Sequence, residues 1–314
     1  MQDSEHLEVA WVEITGEKMT KAELYAVTGV SGRTGAATAQ ALITAGKQVR
    51  VVVRDAAKGA YWQQQGAEVV IADLSNAAML TNALSGVTAA YIVSPPQYSQ
   101  PDLFAQAEVM ANVIADAAVA ARLPKLVALS SVGAEQASDT GWITMNRTLE
   151  QRLSQTDLNL AFLRAAYFME NWQPLIASAR AQGELASFLA PLERKIPMIA
   201  TQDIGEIAAQ VLCENWQGTR AINLTGPADY SPHDVAQHLA AQLQKPIAAV
   251  AIPESDWQQA MSGQGFSPAA LSGFITMTQG LNSGHIAFNN KDSNEQRIGR
   301  ITIETVFKQM NELI

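Results

Sequence analysis

The chain has 314 residues, 48% of them hydrophobic, and a formal net charge of -9. That hydrophobic fraction can fill a sizeable core and excludes a disordered chain, while an acidic balance without any Lys/Arg-rich run sets nucleic-acid binding aside. A single cysteine, Cys213, excludes an internal disulfide and fits a reducing, cytoplasmic setting.

The four histidines, His6, His233, His238 and His285, are scattered, and even His233 and His238 are not stacked on one helical face, so no metal site is expected. Polar residues interrupt the apolar stretches before the ~20 residues of a membrane span are reached. The opening MQDSEHLEVAWVEITGEK has early acids and no basic region before an apolar core, so it is not a signal peptide. Residues 1–22 are expected to be a disordered tail or an over-extended start, because the hydrophobic pattern begins only at Leu24.

From Leu24 onward, short apolar runs alternate with helical patterns. The runs are LYAVT (24–28), VRVVVR (49–54), EVVIA (68–72), AAYIVS (89–94), KLVALS (125–130) and LNLAFLR (158–164). Between them, residues 35–45, 76–84 and 102–121 carry apolar side chains at helical spacing. Runs that are continuously apolar are buried on both faces, and their alternation with helices implies right-handed crossovers. The expected fold is therefore α/β, a doubly wound parallel sheet over residues 23–165. Residues 166–314 read as a smaller α/β lobe interleaved with the sheet edge. In that half Asp203 reads as a helix N-cap, Gly226-Pro227 as a turn, and Ser231-Pro232 as a helix start.

The first strand runs into Gly29-Val30-Ser31-Gly32-Arg33-Thr34-Gly35, a G-x-x-G-x-x-G spacing that opens a helix. Such a turn lets backbone approach a pyrophosphate and aims helix-terminal amides at it. Within a strand–helix–strand unit, dinucleotide binding outweighs the plainer reading of an empty Gly-rich turn. The second strand ends in Arg54-Asp55, where an NAD-binding protein usually carries an acid. Arg54 and Arg33 together can bracket a 2′-phosphate, so NADP(H) is preferred and NAD(H) is the alternative. Asp73-Leu74 closes the third strand, with Asp73 open to adenine contact or to a helix N-cap role. Ser94-Pro95-Pro96 closes the fourth, where prolines force the chain out of the sheet at the ligand crevice.

TGVSGRTG, VVVRD, ADLSN, VSPP, LSSVGA and LRAAYFMEN, in this order, resemble the NmrA-like branch of the atypical short-chain dehydrogenases, and IPMIATQDIGEIAAQVL extends the likeness. The resemblance covers residues 24–214 well and the remainder loosely. It implies a Rossmann domain with a small C-terminal lobe and a preference for NADP(H). The branch holds NADPH-dependent quinone reductases and also nucleotide-sensing regulators.

The resemblance directs attention to the acid–base pair of an ordinary short-chain dehydrogenase, a Tyr-x-x-x-Lys after the fifth strand, preceded by a serine. Ser130 or Ser131 takes the serine's place, but Trp142 and Asn146 occupy the spaced positions, and neither can replace a Tyr–Lys pair. No catalytic residue is assigned. Arg147 or Glu150 reads as a ribose contact or a helix-face salt bridge. Tyr167 and Phe168, with Met169, read as either a flat apolar substrate pocket or core. Hydride transfer to an electron-poor quinone can proceed without a dedicated strong acid, because the cofactor carries the chemistry. Two readings follow: an NADPH-dependent oxidoreductase of a quinone-like small molecule, or a non-catalytic NADP(H)-sensing regulator with a protein partner.

Overall fold

A computed structural model describes residues 23–289 and 294–311. The tail expected over residues 1–22 lies outside the described residues. The first half contains β1 (Leu24–Val27), α1 (Arg33–Thr44), β2 (Gln48–Val53), α2 (Ala56–Gln64), β3 (Glu68–Ile71), α3 (Ala77–Leu84), β4 (Ala89–Ile92), α4 (Leu103–Ala120), β5 (Lys125–Ser131), α5 (Thr144–Leu153) and β6 (Asn159–Ala165). Then come β7 (Tyr167–Phe168), α6 (Gln173–Gln182), β8 (Glu184–Ser187), β9 (Ile196–Ile199), α7 (Thr201–Cys213), β10 (Thr219–Thr225), β11 (Asp229–Tyr230) and α8 (Pro232–Leu243). The chain closes with β12 (Ala248–Ala251), α9 (Trp257–Ala260), α10 (Pro268–Ser283), β13 (Glu295–Ile298) and α11 (Ile303–Asn311).

Eight strands form one sheet in the order β13-β10-β6-β5-β4-β1-β2-β3, and its pairings are parallel. The chain winds outward from β1 through β2 to β3, then returns to place β4 on the other side of β1. That reversal is the topological switch point at which an open α/β sheet binds ligands. Burial on both faces explains the unbroken apolar runs: all four residues of β4 are buried, as are Tyr25, Ala26 and Val27 of β1. The run at 68–72 departs from this pattern. As the last strand of the sheet, β3 has a half-exposed Ile71 (50%) and only partly buried Val69 and Val70.

Helices cover both faces. Leu42 of α1 and Ile204 and Leu212 of α7 pack on one side with Val27, Val51 and Tyr91. Leu80 and Leu84 of α3, Ile114 of α4 and Leu153 of α5 pack on the other. By length and composition α4 could span a membrane (18 residues, mean hydropathy 1.3). In the fold it packs against the sheet through Met110, Ala111, Ile114 and Ala118, which are buried.

The second half contributes both to the sheet and beyond it. β10 and β13 extend the sheet past β6, while β7, β9 and β11, together with the β8–β12 pair, build two small sheets around a separate core. α7 lies so close to α1 that a Cβ on Gly205 would come within 2.3 Å of the Ala37 Cβ. Ser231 caps α8 in a reciprocal arrangement with Asp234, and Pro232 follows it. Asp203 is not the N-cap that its position suggested. Ala200 occupies that place, and the buried Asp203 carboxylate accepts the Ile301 N–H at 2.9 Å. A long-range backbone donor has taken the side chain that a local capping rule assigned to the helix end.

Candidate functional site

A cleft of about 470 Å³ opens where β1, β4, β5 and β6 end. Its floor is the glycine turn. Gly29 adopts φ +69, and its carbonyl accepts the Gly32 N–H at 2.9 Å. A Cβ on Gly35 would sit 2.4 Å from the Gly29 carbonyl carbon and oxygen, so only glycine lets α1 start this close to the turn. A Cβ on Gly32 would meet only the Gly29 oxygen, at 3.4 Å. Gly32 therefore keeps open space at the cleft, which it lines together with Gly29, Arg33 and Thr34. The Thr28 hydroxyl accepts the Val93 N–H at 3.0 Å and ties β1 to the end of β4.

Gly32 is the N-cap of α1 and offers no side-chain cap, and the helix has no acid in its first turn. Its leading amides and positive dipole end are thus left for an anion from outside the chain. This cradle fits the diphosphate of a dinucleotide.

The remaining cofactor candidates divide. Ser94, Pro95 and Pro96 line the cleft. Val30 and Leu74 turn their side chains into the core, and Ser31 is exposed outside the cleft wall. Arg33 is not aimed at the β2 end as the bracketing expectation required: its guanidinium donates to the Gln173 side chain of α6, across the cleft mouth. Arg54 is exposed at the end of β2, and among the described residues it makes no hydrogen bond or ion pair. Asp73 is not a helix N-cap. Asn76 caps α3 by accepting the Met79 N–H, while Asp73 accepts the Ser75 N–H at 2.9 Å and the Ser75 hydroxyl at 2.8 Å. Those two bonds, the backbone one first, hold its carboxyl below the usual range, and the Arg54 charge adds to the effect.

Ser130, Ser131, Asn146, Tyr167 and Phe168 all line the cleft. The serines are engaged from within. Ser130 donates to Glu150 Oε1 at 2.6 Å, and Ser131 to the Val132 carbonyl at 3.1 Å. Glu150 makes no exposed helix-face salt bridge. It is buried and holds Arg164 of β6 through two bonds, of 3.0 and 2.7 Å. Arg147 donates to the Glu135 carbonyl at 2.6 Å. Met169 is fully buried core, as are Trp172 and Trp257, so the flat wall is made by other rings.

Those rings were not all legible in the sequence. Trp142 donates its Nε1–H to the Ala270 carbonyl at 2.7 Å, and its ring packs against Tyr98 (centroids 4.1 Å apart), Phe266 (5.4 Å) and Phe274 (5.4 Å). Tyr98 follows the Ser94-Pro95-Pro96 turn by two residues and lines the cleft. The cue to it was an aromatic residue two positions after a turn that leaves the sheet at the switch point. Burial pushes the Tyr98 phenol up to about 12. It does the same for Tyr167, whose shift a hydrogen bond with the Asn171 side chain partly offsets. Both phenols are neutral donors across the physiological range. Among the described residues, Arg33 is the one charged side chain of the cleft wall.

The sequence matches the NmrA-like family over residues 21–309. It is 30% identical over 250 residues to the NAD(P)H azoreductase of Xenophilus azovorans, covering 78% of this chain and 82% of that protein. It is 26% identical over 282 residues to quinone oxidoreductase 2 of Escherichia coli (strain K12), covering 89% and 95%. A solved structure of the NADPH-dependent quinone oxidoreductase QOR2 from Escherichia coli, complexed with NADPH, superposes with a TM-score of 0.76 at 22% identity, over 92% of this chain and 99% of that one.

Proposed function

The chain belongs to the NmrA-like family, and from that premise we propose that it is an NAD(P)H-dependent oxidoreductase, one that prefers NADPH and reduces a quinone or a similar small electrophile. The observation that carries this reading is one cleft with two unlike walls: an uncapped helix start on a glycine turn, and an apolar aromatic face with almost no charge. The first wall suits a diphosphate. The second suits a flat, neutral acceptor. The curated relatives named for NAD(P)H azoreductase and quinone oxidoreductase activity support the same reading.

The amides of Arg33 and Thr34 would hold the diphosphate, with Gly29 and Gly32 leaving room for it, and Arg54 would meet the 2′-phosphate. When bound, the reduced nicotinamide supplies a hydride. The chain's part is to fix the acceptor and exclude water. Ser131, Asn146, Tyr167 and Phe168 form the neutral surface at the ends of β5 and β6 where the reacting rings would meet.

The test is oxidation of NADPH, and in parallel of NADH, with a panel of quinones. Arg54→Ala is expected to lower kcat/KM for NADPH by about 10- to 100-fold, the worth of one or two charge-assisted hydrogen bonds, and to leave NADH unchanged. Equal losses with both nucleotides would remove the 2′-phosphate assignment. Tight NADPH binding with no turnover of any acceptor would favour the sensing reading instead.

A further inference from the structure

The position where an ordinary short-chain dehydrogenase carries its phenol is held by Trp142, whose indole N–H is already given to the Ala270 carbonyl. The ring packed on that indole, at 4.1 Å between centroids, is itself a phenol, that of Tyr98. It comes from the loop after β4, not from the turn before α5. Its backbone is pinned, because the Tyr98 carbonyl accepts the Ser267 N–H at 2.9 Å, and Phe266 closes on the ring from the same segment. Among the described residues, nothing accepts from or donates to its hydroxyl, and the half-buried residue lines the cleft. Tyr167, the other phenol in the cleft, already has the Asn171 side chain as a partner.

We propose that Tyr98 is the donor that binds the substrate's carbonyl oxygen, taking over from a neighbouring element the hydrogen bond that a tyrosine at position 142 would make. This assignment rests on the reductase reading and gives the substrate class: a planar acceptor with a ring carbonyl, stacked on the Tyr98–Trp142 face. Hydride addition to a quinone breaks the donor C–H bond, forms an O–H bond at one carbonyl and carries the electron pair through the ring to the other. A carbonyl oxygen then takes up the negative charge. The Tyr98 O–H donates to that oxygen and keeps its proton; water supplies the one that completes the hydroquinone. A neutral phenol held in place by its packed ring stabilises such an oxygen more in the reduced state than in the quinone.

The experiment compares wild type with Tyr98→Phe in the complex with oxidised cofactor. Menadione is titrated calorimetrically, and methylnaphthalene, the same two-ring shape without carbonyls, serves as the second probe. Tyr98→Phe is expected to weaken menadione about 5- to 10-fold, one neutral hydrogen bond, and to leave methylnaphthalene unchanged. Equal weakening of both probes, no weakening of menadione, or no menadione binding by the wild type would each overturn the assignment. Selective weakening in a protein that never oxidises NADPH would uphold Tyr98 as a carbonyl-binding donor and reject the reductase reading alone.

Discussion

Gly35→Ala is expected to lower NADPH affinity by about 100-fold or more, the scale on which an ångström of misplacement acts. The added Cβ would meet the Gly29 carbonyl at 2.4 Å and the Thr28 oxygen at 2.5 Å, distances that real side chains do not tolerate. None of the partners can yield easily. Gly29 holds the Gly32 N–H, the Thr28 hydroxyl holds the Val93 N–H, and behind them α7 presses on α1 at Gly205. α1 must therefore lift from the turn, and its leading amides lose their aim. Overpacking of this kind also costs about 1–3 kcal/mol of stability. Gly32→Val separates the two effects. Its Cβ has only a 3.4 Å contact with the chain, so the loss of stability should stay near the ~1 kcal/mol of a changed N-cap while the side chain fills the phosphate cradle and binding falls. Paired thermal melts and NADPH titrations read both. Gly35→Ala with unchanged affinity would mean that the glycine turn does not hold the cofactor.

The sheet could be read from the sequence because its cause is local. A strand buried on both faces must be apolar along its whole length, and the helices between such strands fix their direction. The glycine turn was legible for the same reason, as steric demands at Gly29 and Gly35 act over six residues. What failed locally was decided at long range. Asp203 and Asp73 stand where acids cap helices, yet Asp203 answers an N–H 98 residues away and Asp73 folds back on Ser75. Arg33 was read from its neighbours in sequence, but its partner, Gln173, is 140 residues on. Val30 and Leu74 lie in stretches read as cofactor-binding, and their side chains face the core, which leaves only their backbone to the cleft. Tyr98 escaped notice because its role depends on Trp142 and Phe266, which the fold alone brings to it. β10 and β13, from the second half of the chain, complete a sheet that the first half begins.

The Ser130–Glu150–Arg164 chain carries the second large effect. Glu150 is 7% exposed, and its carboxylate satisfies one hydroxyl and both forks of one guanidinium. Removing one partner of a buried pair leaves the other charge poorly compensated, and Glu135, at 3.2 Å from the Arg164 guanidinium, can replace only part of what is lost. Glu150→Ala should therefore destabilise the fold by about 3 kcal/mol, a fall of about 5 °C in melting temperature for a chain this size. Replacing both charges, as Glu150→Leu with Arg164→Met, should recover most of that loss, because the desolvation of two ions disappears together with their attraction. The functional consequence is separate. Glu150 braces α5, which carries Asn146 at the cleft, against Ser130 of β5, so the single variant should also weaken NADPH binding at temperatures where it remains folded. A double variant no more stable than Glu150→Ala would show that the cost lay in lost packing around α5 and not in the stranded arginine. One that recovers stability but not binding would assign the carboxylate to holding the cleft wall in place, a task that apolar packing of the same volume does not perform.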